Sequence, residues 1–357
     1  MPMRNRLLLL TLACVLVAAT LVVSLTMFAG TPTQADDGRL KVAVLGDSDS
    51  HHYADPHFPL QRGGAYHDAA CNWAEIWAMT RASEVDLGPM VDSGHRRSVA
   101  AVMDRLTRPT RVPRKLDFAY NYTRSGLRCR SLLDAWPEQT RWLLTRLRQT
   151  PTAWRDGLVI IRIGVNDFGQ RPDHRRFALT GYDEHARTLI EACLDAHRRT
   201  LAAIRAVSDV HVALIGIAHD YNRPTTYEDW PEVADVRRIA DVLGRFDAGL
   251  RRLASTDARV AFIDDVGWFR ARLGDRTDGT LRDRFELVPG MEIWNRLGDR
   301  PDHLVLADDH AGTVAGGLFL THLINGLNAA FDWQLTALSD SEIAALVAPA
   351  LHADSSK

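Results

Sequence analysis

Ser48 sits in Gly46-Asp47-Ser48-Asp49-Ser50, just past an apolar run at residues 41–45. A glycine ahead of it permits a tight turn, and a serine at the end of a buried strand is well placed as a nucleophile. Ser and Asp after a strand are also ordinary helix caps. If a helix follows, the Ser48 N–H lies where negative charge is favoured. Three further stretches add to this one. Gly126 follows Asn121-Tyr122-Thr123-Arg124-Ser125, and Gly164-Val165-Asn166-Asp167 follows the nearly unbroken apolar run 158–163. Late in the chain, Asp308-Asp309-His310 precedes Ala311-Gly312-Thr313. A serine attacking a carbonyl needs donors for the developing oxyanion. The N–H groups of Ser48 and Gly126 and the side-chain amide of Asn166 are the right kinds. His310 supplies a base, and Asp308 a carboxylate to orient it.

The elements that must position these groups are legible in the hydrophobic pattern. Five short runs rich in Val and Ile, at 41–45, 116–120, 158–163, 210–215 and 259–263, read as strands. They are continuous rather than alternating, the pattern of parallel strands covered on both faces. Between and after them, residues 69–81, 131–148, 182–207, 233–254 and 313–330 read as helices. A short helix at 339–347 and a frayed end at 352–357 follow. The alternation predicts an α/β fold: a three-layer α/β/α sandwich around a flavodoxin-like, mainly parallel five-stranded sheet. The first strand should lie beside the second and third, so that Ser48, Gly126 and Asn166 converge at the carboxyl edge. Polar excursions at about 49–114 and 266–302 read as insertions in a single domain spanning 36–357.

In this order, on these strand ends, the four stretches resemble the sequence blocks of the SGNH, or GDSL-type, hydrolases. That family comprises serine esterases, lipases and deacetylases. The likeness covers roughly residues 40–330. It implies Ser48 as nucleophile, His310 as base, and an oxyanion hole made by Ser48 N–H, Gly126 N–H and the Asn166 amide. In the family the acid lies three positions before the histidine, where this chain has Ala307. Asp308 lies two before it, and a one-residue loop shift can present the same carboxylate. Asp308 is therefore expected to complete the triad; Asp309, Asp302, Asp264-Asp265 and a Ser48–His310 dyad are the alternatives. The family often has proline after the histidine, where Ala311 stands here. The implied substrate is a small ester or an acylated glycan, cleaved without a cofactor. A glycan-binding protein or an envelope O-acyltransferase on the same fold is the alternative, and the long 49–114 excursion would suit an acceptor.

Other residues carry less. His51, His52, Asp49, Asp55 and His57 crowd the serine turn, but a metal needs three or four converging ligands and the spacing defines none, so no metal is expected. Arg62-Gly63-Gly64 reads as a piece of site rim. Arg124 and Arg162 could steer an anionic group, although Arg162, inside an apolar strand, could equally pair with a structural acid. Asp167 reads as fixing its turn, and Trp73 and Trp77, one helical turn apart, as core. The chain has 357 residues, is 46% hydrophobic and 8% aromatic, and carries a formal charge of −2, which excludes global disorder and a basic nucleic-acid platform.

Arg4 and Arg6 precede an uncharged apolar run at 7–28, followed by Ala29, Gly30, Thr33 and Ala35. This reads as a secretion signal cut after Ala35. The run is also long enough to span a bilayer, so an uncleaved anchor with its basic end inside competes, with lipidation at Cys14 as a third form. Every form exports the main domain to the periplasm or beyond, with membrane association through 7–28 if the segment stays. Four cysteines are too few for a disulfide-built scaffold. Outside the cytoplasm, Cys71, Cys129 and Cys193 can form one bridge and leave an odd thiol, or remain three buried thiols.

Overall fold

The computed structural model describes residues 38–355 except 59–61, 95–98, 100–101, 103–113, 137 and 218–220. The amino-terminal apolar run lies outside the described residues. In chain order the elements are β1 (Leu40–Gly46), α1 (Trp73–Thr80), β2 (Val85–Asp86), β3 (Met90–Ser93), β4 (Lys115–Phe118), α2 (Gln139–Gln149) and β5 (Leu158–Arg162). Then come α3 (Val165–Phe168), α4 (Arg171–Thr180), α5 (Glu184–Arg205), β6 (His211–Ile215), α6 (Pro224–Asp229), α7 (Val233–Ala254), β7 (Val260–Ile263) and α8 (Gly267–Leu273). The chain ends with β8 (Arg284–Val288), β9 (Met291–Leu297), β10 (His303–Val305), α9 (Thr313–Phe331) and α10 (Asp340–Ser355).

The central sheet has the order β2-β1-β5-β6-β7, with every pair parallel. Side chains alternate across it with the two-residue strand period. Ala43, Leu45, Val159 and Ile161 face one core with Leu143 and Leu147 of α2, Ile190 of α5 and Phe246 of α7. Val42, Val44, Leu158 and Ile160 face the other, with Trp73 and Trp77 of α1, Leu320 and Leu323 of α9 and Ile343 of α10. Two cores, one on each face, make the three layers and explain why these strands read as unbroken apolar runs.

One strand assignment is corrected. The 116–120 run does not form a strand of the main sheet: β4 pairs antiparallel with β3 in a separate two-stranded sheet. Its burial alternates, and Lys115 and Asp117 are buried together with Nζ 2.7 Å from Oδ2. Leu116 and Phe118 are only half-buried, unlike the apolar residues of strands covered on both faces. The place beside β1 is shared by β2 and by a parallel bridge from Val44 to Asn121. Tyr122 N donates to Val44 O at 2.8 Å, so the chain still enters the Gly126 segment from alongside β1. The 266–302 excursion contributes α8, β8 and β9, and β9 pairs with β10. The last helix runs to Ser355, well past the expected end at 347.

Candidate active site

β1 ends against β5, where Gly46 pairs with Arg162 and a Cβ would strike the Arg162 carbonyl oxygen. The buried Gln139 amide clamps this end, accepting from Gly46 N at 2.7 Å and donating to Gly46 O at 3.0 Å. No helix follows Ser48, contrary to the capping alternative. Asp47 turns the chain instead: its Oδ1 accepts from Asp49 N at 3.1 Å and its carbonyl from Ser50 N at 3.3 Å. Such local side-chain bonds compete with helix formation. The next residues are fastened to α1 and the bridge: Trp73 Nε1 donates to Ser50 Oγ at 3.0 Å, Asn121 Nδ2 to Ser50 O at 2.7 Å and Asn72 Nδ2 to His51 O at 2.8 Å. Ser48 is left 8% exposed, and its hydroxyl has no hydrogen-bond partner among the described residues.

His310 follows β10 on a tight loop closed by Leu306 N to His310 O at 2.7 Å and Asp309 N to Leu306 O at 2.9 Å. Asp309 takes a left-handed conformation, φ 67°, and its carboxylate accepts from Thr225 Oγ1 at 3.2 Å. Asp308 is the carboxylate that meets the imidazole, with Oδ2 3.1 Å from Nδ1, and its own carbonyl lies 3.1 Å from the same nitrogen. Burial pushes the Asp308 carboxyl up, but His310 and Arg62 outweigh it and hold it below the usual carboxylate range. An ionised Asp308 only accepts, so the ring proton sits on Nδ1 and Nε2 presents its lone pair. Asp265 pairs with Arg162 at 2.8 Å, Asp302 with Arg300 at 3.0 Å, and Asp264 Oδ1 accepts from Gly267 N, at the start of α8, at 2.7 Å.

Asn166 lies on α3 and its Nδ2 donates to Leu127 O at 2.9 Å, which joins it to the Gly126 segment. An amide carries two N–H donors, and this bond uses one. Asp167 Oδ2 accepts from Cys129 N at 2.9 Å, and burial pushes its carboxyl up to about 6. A disulfide joins Cys129 to Cys193 of α5, so 126–129 is pinned from two sides, while Cys71 is free. Gly126 itself is exposed at φ 80°. The structure thus brings Asp308 to His310 and Asn166 to the Gly126 segment. It shows no hydrogen bond from Ser48 to His310, and His310 Nε2 is engaged elsewhere.

Its partner is Arg62, expected from the sequence at the rim. The guanidinium is 3% exposed and stacks 4.8 Å from the Tyr53 ring and 5.4 Å from the Phe58 ring. Nη2 lies 3.2 Å from His310 Nε2 and 3.3 Å from Ser125 Oγ, and Nε is 3.2 Å from Asp308 Oδ2. Nη1 is buried with no hydrogen-bond partner among the described residues. The crowded histidines divide among separate carboxylates. His51 Nε2 meets Asp55 at 2.9 Å, His52 Nδ1 meets Glu75 at 2.5 Å and His57 Nε2 meets Asp92 at 3.0 Å. Among the described residues, Cys129, Cys193 and His197 cluster closely enough for a metal, but their two sulfurs are bonded to each other. A cleft of about 190 Å³, lined by Arg171, His174, Arg223, Thr225, Trp230 and Asp309, opens beside the His310 loop.

No protein-family model and no curated protein matches the chain. Among solved structures, a mutant of an acetyl-xylooligosaccharide esterase from Geobacillus Stearmophilus aligns with 84% of this chain and 98% of its own, at 11% identity and a TM-score of 0.40. At that level the likeness carries no residue of the site across.

Proposed function

We propose that the chain is an exported serine hydrolase of carboxylic esters, with Ser48 as nucleophile, His310 as base and Asp308 as its orienting acid. The observation that carries the reading is the 3.1 Å approach of Asp308 Oδ2 to His310 Nδ1, which leaves Nε2 able to accept a proton. The order of the sequence blocks on their strand ends supports it. Ser48 Oγ attacks the acyl carbon as its proton passes to Nε2, a step that first requires Arg62 Nη2 to yield that nitrogen. Ser48 N–H, Gly126 N–H and the second Asn166 amide hydrogen then stabilise the oxyanion. His310 returns the proton to the departing alcohol, and water releases the acid by the same route.

The cleft beside the loop favours an acylated glycan over a long acyl chain, because its arginines, threonines and carboxylates surround a single indole, Trp230. Export is supported by the apolar run at 7–28, and the Cys129–Cys193 bridge is of a kind that oxidising compartments permit. A panel of small esters and acetylated glycans, run on wild type and Ser48→Ala, tests the activity. Mass analysis of the mature chain tests export: an amino terminus at Asp36 means cleavage, and a retained amino-terminal segment in the membrane fraction means an anchor. Full-length chain soluble in the cytoplasm contradicts both.

A further inference from the structure

We infer that Ser125 is a second acyl-accepting hydroxyl of this site, with His51 as its base and Asp55 orienting His51. The inference rests on the site's being one of acyl transfer, as proposed above. Ser125 Oγ lies 3.0 Å from His51 Nδ1, and His51 Nε2 lies 2.9 Å from Asp55 Oδ2. Asp55 is fixed by two further bonds to its Oδ1, from His57 N at 2.9 Å and Leu116 N at 3.1 Å. With the carboxylate as acceptor, the ring proton belongs on Nε2, and Nδ1 presents its lone pair to the serine. A hydroxyl within reach of a base that a third group orients is the arrangement of an activated nucleophile. Ser125 and His51 are 74 residues apart, so no local turn imposes the contact.

Two observations set this serine apart from a merely satisfied polar group. Its O–H is committed to His51, so Arg62 Nη2 at 3.3 Å faces its lone pairs, where positive charge favours a developing alkoxide. Nη1 of the same guanidinium is buried and unpartnered among the described residues. Ser125 is half-buried next to the exposed Gly126, so an ester can approach. In the step, Oγ bonds to the acyl carbon while its proton passes to Nδ1. The bond from that carbon to the alcohol oxygen breaks, and the alcohol leaves with the proton. Water then hydrolyses the acyl-Ser125 ester by the reverse proton path. Burial weakens His51 as a base, so this route is slower at neutral pH than one through a more solvated imidazole.

A fluorophosphonate probe with peptide mass mapping tests this on wild type, Ser48→Ala, Ser48→Ala/Ser125→Ala and Ser48→Ala/His51→Gln, each checked by its melting curve. The expected result is a label on Ser125 in Ser48→Ala, formed at least tenfold more slowly when His51→Gln is added and absent when Ser125→Ala is added. If His51→Gln does not fold, the Ser125→Ala arm decides alone. A label on Ser48 in wild type, with none on Ser125 in Ser48→Ala, overturns the inference and leaves the proposed function standing. A label on Ser125 alone in wild type supports the inference and removes Ser48 as nucleophile. A wild type that labels at neither serine overturns both.

Discussion

Two histidine–carboxylate pairs lie about Arg62, one touching it and the other reaching it through Ser125, and they are built in opposite ways. His310 and Asp308 lie two residues apart on one loop, with side chains 19% and 28% exposed. His51 and Asp55 are both 1% exposed, and the serine facing His51 comes from a segment far along the chain. Burial drives His51 down to about 4, while His51 and two backbone N–H groups overcome burial to hold Asp55 at about 2. The same two side-chain types therefore do different work. The outer pair is partly exposed to solvent, whereas the inner pair is fixed in one protonation state across the neutral range. Arg62 links them, since its Nη2 lies within 3.3 Å of Ser125 Oγ and 3.2 Å of His310 Nε2.

The contrast breaks most readily at the outer acid. Asp308→Asn keeps the shape but loses the charge that holds the Nδ1 proton, and turnover on a small ester should fall by about 10²–10⁴-fold. Initial rates from pH 6 to 9 check this, and an unaffected rate reduces the site to a Ser48–His310 dyad.

The inner pair should be visible in stability instead. His51, His174 and His197 are each lowered from 6.5 to about 4 by burial. A lowered histidine means that the unfolded chain binds more protons between those values. Its stabilisation is complete above pH 6.5 and is lost as pH falls toward 4, at about 3 kcal/mol for each fully buried ring. Calorimetric melting from pH 7.5 to 4 should show Tm falling steadily once pH drops below 6.5. A flat profile would mean that these rings are not held neutral.

The disulfide probes how Ser125 is delivered to the inner pair. Replacing Cys129 and Cys193 with Ser opens a bridge across 64 residues and should lower stability by about 2–4 kcal/mol, read by urea unfolding. Since the bridge pins the segment just after Ser125, probe labelling there should slow more than labelling at Ser48; equal slowing would argue against that role. The smallest effect is expected at Asp309→Asn. That side chain faces Thr225 rather than His310, and the rate should change by less than about threefold. A crippled Asp309→Asn beside a healthy Asp308→Asn would reverse the assignment of the acid.

What the sequence revealed follows the same division. Strands buried on both faces announce themselves as unbroken apolar runs, so β1, β5, β6 and β7 were readable, as were the long helices α5, α7 and α9. The 116–120 run misled because Leu116, Phe118 and Tyr120 look alike in either kind of sheet; the difference is that Leu116 and Phe118 end up only half-buried. The pairing of Asp308 with His310 was legible because a local loop sets their spacing. Arg62 and Ser125 were not, since each acquires its role from partners 248 and 74 residues away. The spacing of four between His51 and Asp55 was a visible hint, but it lay in a cluster that equally suggested solvated polar residues.

The central claim is that Ser48 carries the chemistry, and the most direct measurement compares hydrolysis of p-nitrophenyl acetate by wild type and Ser48→Ala at equal folded concentration. Since Ser48 Oγ makes no hydrogen bond among the described residues, its removal should leave the melting temperature nearly unchanged. The rate should fall by at least about a hundredfold, the remainder being the slower Ser125 route. A Ser48→Ala protein hydrolysing the ester within about threefold of wild type would contradict the account.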